Sequence, residues 1–217
     1  IFLEPDLGMT ILMVFIWFVM MISSDVNKKY IFAIITVGII AAPIAFYTVL
    51  EDYQRLRILA LFNPQEHFQA GAYNTIMSKV AIANGGMNGT GYNLGTATNL
   101  HIVPMQYTDF IFSAYAEQFG FIGALILLAL YGTIILIPML RIEKYKDNYW
   151  RYVVTGVSSV FAFHVFENVG MNLGIMPVTG IPLPFMSYGG TSTVVFSMLV
   201  GLLVKARAIS KAPRPVG

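Results

Sequence analysis

The sequence predicts an all-α polytopic membrane protein with about five spanning helices, on three observations. Hydrophobic residues make up 57% of the 217 and charged residues 11%, where a soluble domain averages roughly 45–50% apolar and about 25% charged. The apolar residues gather into five runs of bilayer-crossing length. Lys and Arg cluster at one set of the run ends. Cysteine is absent, which leaves neither a disulfide framework nor a thiolate metal site. The formal charge of +2 is too small to point to nucleic acid as a partner.

A spanning helix needs about 20 mostly apolar residues. The first run, 7–23, is bounded by Pro5-Asp6 and by Ser24-Asp25. The second, 30–50, carries Pro43 as an expected kink. The third, 110–140, is longer than a simple span and is broken by Gly120 and Gly123. The fourth is 149–169 and the fifth 188–206. We read residues 1–210 as a single membrane domain and 211–217, with two prolines, as a tail. Residues 1–7 lack a basic region and a small-residue cleavage site, so no cleavable signal peptide is expected. The opening phrase LEPDLG reads as internal to a longer chain.

Orientation follows from the basic residues, which favour the cytoplasmic side. With the first helix running inward, Lys28, Lys29, Arg141, Lys144, Lys146, Arg151, Lys205, Arg207, Lys211 and Arg214 all face the cytoplasm. Of the 13 basic residues only Arg55, Arg57 and Lys79 then lie outside, all within 51–108. That 58-residue loop is too long for a plain linker. Leu56, Leu59, Ala60 and Phe62 repeat at helical spacing opposite Arg55 and Arg57, so 53–62 reads as an interfacial amphipathic helix. A second short helix is expected over 73–82, carrying Lys79. Gly85, Gly86, Gly89, Gly91 and Gly95 then form a run able to approach a ligand closely. It fits no Walker or dinucleotide spacing, and no strand precedes it, which excludes nucleotide binding.

Ionisable residues at the edge of a span are functional candidates by default. Asp109 opens the third run, Glu117 lies two helical turns further in, and His164 and Glu167 lie toward the outer end of the fourth. Asp109 is equally suited to capping the helix N-terminus. Glu117 suits pairing with a basic or hydroxyl partner, and His164 and Glu167 suit satisfying each other. The last candidate stretch, 179–192 (TGIPLPFMSYGGTS), is turn-rich yet sits between apolar segments. Broken backbone at membrane depth is tolerated where protein or a polar cavity satisfies it. We therefore expect it to wall a site on the same outer face as the long loop.

This stretch also carries a family signature. Asn168, Gly174, Ile175, Pro177, Gly180 and Ile181, then Phe185-Met186-Ser187-Tyr188-Gly189-Gly190-Thr191-Ser192, resemble the C-terminal signature of the SEDS family (shape, elongation, division and sporulation proteins). Pro104, Thr108, Asp109, Phe110, Ile111 and Phe112, followed by Ala116, Glu117 and Gly120, resemble a second family phrase in which the essential acid corresponds to Asp109. Met105, Tyr107 and Gln118 depart from it, replacing Glu, His and Glu. Tyr53-Gln54-Arg55 with Arg57, and Ser78-Lys79 with Gly85-Gly86, Gly89, Gly91 and Gly95-Thr96, match further, most closely the RodA branch.

The resemblance implies the C-terminal half of a ten-span protein of the bacterial cytoplasmic membrane, with its C-terminus cytoplasmic and its active site outside. It implies a peptidoglycan glycosyltransferase that polymerises lipid II for cell-wall elongation and cell shape, working with a class B penicillin-binding protein. It implies Asp109 as the catalytic base, or as ligand to a divalent cation (Mg or Mn). Lys79, Arg57 and Arg55 are the outer cations suited to diphosphate. Glu117, Ser187, Tyr188, Thr191 and Ser192 complete the expected substrate-binding set. Two other readings stay open at this point, a lipid II flippase and a noncatalytic scaffold for the penicillin-binding protein. The clustering of charge at the outer end favours the enzyme.

Overall fold

A computed structural model describes residues 7–24, 26–64, 66, 72–145 and 147–211. Pro5, Asp6, Asp25, Lys146, Arg214 and the tail beyond 211, all named above, lie outside the described residues. Over the described residues the chain is helical, with no strand. The helices are α1 (Leu7–Ile22), α2 (Lys28–Thr48), α3 (Asp52–Phe62), α4 (Ala72–Gly85), α5 (Thr96–Asn99), α6 (Ile111–Met139), α7 (Asn148–Leu173) and α8 (Gly190–Lys211). A 3-10 turn, Ile142–Lys144, joins α6 to α7.

The membrane expectation holds with one adjustment. Among the described residues four helical segments are long and apolar enough to cross a bilayer: Lys28–Thr48, Ile111–Lys144, Asn148–Leu173 and Gly190–Ser210. The first expected span is shorter, because α1 has 16 residues, a rise of about 24 Å against a hydrocarbon core of about 30 Å. The two short helices expected in the long loop form as α3 and α4. At the start of α3 the Gln54 side chain accepts the Glu51 N–H at 3.1 Å, which occupies a donor that a helix start leaves orphaned.

α7 is the axis of the fold. Its apolar window is 72% buried, against 28% for α6, 17% for α8 and 0% for α2. α1, α4, α6 and α8 all pack on it. Phe15 of α1 meets Phe163 with ring centroids 5.2 Å apart, and Ser23 and Thr155 hydroxyls pair at 3.2 Å. Phe161 and Phe196 join α7 to α8 within a cluster that includes Val154, Val157 and Leu203. In lipid such packing gains dispersion contacts and polar bonds, with little hydrophobic transfer. The buried polar face of α7 therefore counts heavily. It ends at Gly174, which is left-handed (φ 69°). The Ile175 N–H returns to Gly170 O at 2.8 Å and closes the last turn.

α6 breaks where the sequence indicated. Gly120 has φ 66° and ψ −169° inside an otherwise helical run. The freed carbonyls of Glu117 and Gln118 accept Thr90 N–H (2.9 Å) and Gly91 N–H (3.1 Å), and the freed Phe121 and Ile122 N–H groups reach Gly86 O (2.9 Å) and Met87 O (3.2 Å). These four backbone groups, freed at the kink, are recovered from the glycine run. A Cβ on Gly85 or Gly89 would collide with the α6 backbone at Ala116 or Gln118, so these two glycines admit a helix where the sequence suggested a ligand.

Candidate functional site

Asp109 sits in the turn before α6, half-buried. It does not cap that helix, because the N-cap position is Phe110 and no side chain caps there. Phe110 is 1% exposed and anchors the turn beside Ala81, Val103 and Met171. Burying one such side chain outside lipid is worth about 1.5–3 kcal/mol.

The backbone of 107–109 is held from two distant segments. Asn168 Nδ2 and Asn172 Nδ2, one turn apart on α7, both donate to the Asp109 carbonyl at 2.9 and 3.2 Å. Ser187 Oγ donates to Thr108 O at 2.6 Å, and the Tyr188 N–H donates to Tyr107 O at 2.8 Å. The polar loop and the turn-rich 179–192 stretch thus meet, as the sequence led us to expect. The same α7 face holds the facing stretch. Thr179 donates to Glu167 at 2.9 Å, Asn168 donates to Ile181 O at 2.8 Å, and His164 Nδ1 donates to Pro182 O at 3.0 Å. His164 and Glu167 therefore do not satisfy each other, because each is committed to the 179–182 segment. Ser113 N–H and Ser78 Oγ both reach Asn172 Oδ1, at 3.0 and 3.2 Å, tying α4 and α6 to the same point.

The Asp109 carboxylate is left facing Gly180. A Cβ there would lie 3.6 Å from Oδ2, and φ +77° makes any larger residue strained as well. Burial raises the Asp109 carboxyl above its ordinary value, partly offset by the Thr108 hydroxyl and by the Arg57 charge. Arg57 donates to Val178 O at 3.0 Å and lies over the Tyr53 ring at 5.7 Å. Arg57, Thr75, Lys79, Gly174 and Val178 wall one cavity. Asp109 is not among its walls, but Gly180, two residues beyond Val178, faces it. Lys79 makes no hydrogen bond or ion pair with the described residues and is exposed. A methyl on Gly174 would collide with its Cε and Nζ, so this glycine admits the lysine.

The remaining expected ligands fare differently. Arg55 turns away from the cavity, donating to Tyr47 O at 2.9 Å and pairing with Asp52 at 3.4 Å. Glu117 is fully buried and takes four donors: Ala97 N–H (2.8 Å), Thr98 N–H (2.8 Å), the Thr98 hydroxyl (2.6 Å) and the Asn84 side chain. It caps α5 from another helix, standing in for the side chain that the N-cap glycine, Gly95, lacks. A Cβ on Gly95 would lie 2.6 Å from Glu117 Oε2. Substrate binding by Glu117 is therefore corrected to a structural role. Ser187 is buried with its hydroxyl committed to Thr108 O and the Leu183 N–H, so it too holds the turn. Ser192 Oγ donates to Gly189 O at 2.8 Å. The Tyr188 side chain, 85% exposed, and Thr191 remain open to solvent.

Among the described residues no three His, Asp or Glu side chains converge in a metal cluster. Asp109 stands as a lone carboxylate near a cationic group, which does not build a protein cage for Mg or Mn. The residues that sequence reasoning missed are Asn172, Ser78 and Ser113. For Asn172 the signal was present: His164, Glu167, Asn168 and Asn172 recur at helical spacing within an apolar run.

The chain matches, over residues 1–212, the FtsW, RodA and SpoVE family, described as cell cycle protein. It is 33% identical over 213 residues to the peptidoglycan glycosyltransferase MrdB of Escherichia coli (strain K12), covering 96% of this chain and 58% of that protein. It is 39% identical over 160 residues to the peptidoglycan glycosyltransferase RodA of Treponema pallidum (strain Nichols), covering 74% of this chain and 37% of that one. It also resembles one chain from a solved structure described as structural coordination of polymerization and crosslinking by a peptidoglycan synthase complex. That match has a TM-score of 0.75 and 27% identity over 97% of this chain and 58% of the other. The match spans 58% of the length of the first of these relatives and 37% of the second. It belongs to the FtsW, RodA and SpoVE family, the one its SEDS motifs resemble.

Proposed function

We propose that this chain carries the catalytic half of a peptidoglycan glycosyltransferase that polymerises lipid II, the undecaprenyl-diphosphate-linked disaccharide-pentapeptide. The acceptor 4-hydroxyl oxygen forms a bond to the donor anomeric carbon. The bond from that carbon to the diphosphate breaks, and the diphosphate leaves with the electron pair. Asp109 accepts the hydroxyl proton, and Arg57 and Lys79 offset the charge developing on the leaving group. The observation that carries this reading is the Asp109 turn itself. Its backbone is fixed by Asn168, Asn172, Ser187 and Tyr188, while its half-buried carboxylate meets only the neighbouring Thr108 hydroxyl and the charge of Arg57. Desolvation suits such a carboxyl to act as a base, since it weakens the acid toward neutral pH.

In this reading the site faces the outer side of the cytoplasmic membrane, the C-terminus faces the cytoplasm, and a class B penicillin-binding protein crosslinks the product. The positive-inside distribution of Lys and Arg supports the orientation. The name of the solved complex supports the partnership. The test is lipid II polymerisation by the complete protein with its penicillin-binding partner, wild type against Asp109→Ala. Glycan strands from the wild type alone, with the variant folded and partner-bound, are expected. Equal product from both overturns Asp109 as base. Lipid II binding without product from either points to a flippase or a scaffold.

A further inference from the structure

At the end of the molecule opposite Asp109, α6 and α8 diverge around a groove that the polymerase reading does not use. It is a cavity of about 210 Å³ lined by Thr133, Ile134, Ile137 and Pro138 of α6, by Val200, Leu203 and Val204 of α8, and by Arg141, Tyr145 and Arg207. None of its walls comes from α7, against which both helices pack. α6 runs 29 residues from the Asp109 turn to this end, and its part beyond the Gly120 break, 121–139, rises about 28 Å at 1.5 Å per residue. The groove therefore lies well away from the Asp109 turn along α6. The groove is apolar along its length and cationic at its mouth. Arg141 and Arg207 form no ion pair and donate no side-chain hydrogen bond among the described residues. Glu143 and Asp147, the acids nearest in sequence, are not paired with them, and Asp147 accepts the Tyr149 N–H instead. Two neighbouring basic groups have other contacts: Arg151 donates to Asn148, and Lys205 lies over Trp150 at 5.9 Å.

We infer that this groove holds one anionic phospholipid of the adjacent leaflet, its phosphate between Arg141 and Arg207 and an acyl chain along Ile134, Ile137, Val200 and Val204. Charge complementarity selects that occupant. A groove receiving any acyl chain needs no cation at its mouth, and a site for free phosphate needs no apolar walls. Basic pockets between spanning helices have the form that binds anionic headgroups. An arginine that merely snorkels past the helix end gives neither saturation nor headgroup preference. By the proposed orientation the leaflet is cytoplasmic, but the chemistry holds whichever side it faces.

The test is native mass spectrometry of the complete protein after titration with dioleoyl phosphatidylglycerol or dioleoyl phosphatidylcholine. A single retained phosphatidylglycerol, favoured about tenfold over phosphatidylcholine, is the expected result. It should be lost in Arg141→Gln/Arg207→Gln and largely kept in Arg141→Lys/Arg207→Lys. Val204→Trp fills the groove without touching the charges. It should also lose the lipid, and it carries the test if the glutamine variant does not fold. Equal retention of the two lipids by wild type, or undiminished phosphatidylglycerol on Val204→Trp, overturns the inference. Displacement by millimolar inorganic phosphate alone assigns the arginines to free phosphate and overturns it as well. Lipid II polymerisation at Asp109 is not required for any of these readouts, so this inference and the polymerase reading fail separately.

Discussion

Two carboxylates eight residues apart, Asp109 and Glu117, receive opposite treatment from the same fold. Glu117 is sealed from solvent and surrounded by four donors from 84–98, so all its hydrogen-bonding capacity goes into holding a loop. At Asp109 the backbone carbonyl takes the two asparagine bonds, and the side chain stays half-exposed, with burial raising its pKa against a nearby arginine. A group that must exchange a proton with substrate needs its carboxylate free and its position fixed from elsewhere. A group that must cap a helix needs the reverse. The chain builds one of each on the first turns of α6 and immediately before it.

The largest expected effect is at Asp109. Asp109→Asn keeps the shape and removes the basicity, so the polymerisation rate should fall by about 10²–10⁴-fold. Lipid II binding, followed by equilibrium titration, should change little. At Glu117 the expected loss is in stability. Glu117→Ala strands the buried Ala97 and Thr98 donors, which costs roughly 3 kcal/mol. That should appear as a lowered thermal midpoint, with near-normal activity for each molecule that remains folded. Asn172→Ala removes one of the two amides that hold the Asp109 carbonyl. Since misplacement by about 1 Å costs on the order of 10²-fold, loss of one of two such bonds should lower kcat about tenfold while KM holds. A fall in KM-weighted binding alone would assign Asn172 to the substrate instead.

The smallest effect concerns pH and separates the two acids most cleanly. Asp109 must be ionised to act as base, so activity should be lost as pH falls through its pKa, which burial raises from its ordinary value. Arg57 lowers that pKa, so Arg57→Gln should move the acid limb to higher pH. Glu117→Gln should leave the limb in place. A limb that follows Glu117 and ignores Arg57 would reverse the assignment.

The difference between the two acids was only partly legible in the sequence. The spans, α3, α4 and the break at Gly120 follow from local pattern: apolar run length, helical spacing opposite Arg55 and Arg57, and a glycine inside an overlong apolar run. The meeting of 107–109 with 187–188 followed from two polar segments assigned to one face. The capping of α5 by Glu117 could not be read, because it depends on Gly95 making room for a side chain from another helix. Nor could the purpose of Gly85 and Gly89, whose neighbours are backbone atoms more than 25 residues away. Arg55 and Arg57 look equivalent in the sequence. On α3 they point to different partners, Tyr47 and Val178.

The most direct measurement is lipid II polymerisation in liposomes by the complete protein carrying Asp109→Asn, run beside Glu117→Gln, with each rate normalised to folded protein. A rate at least about a hundredfold below wild type is expected from Asp109→Asn, and strands at close to the wild-type rate from Glu117→Gln. A near-wild-type rate from folded Asp109→Asn, or loss of strands from folded Glu117→Gln alone, would contradict the assignment of Asp109 as base.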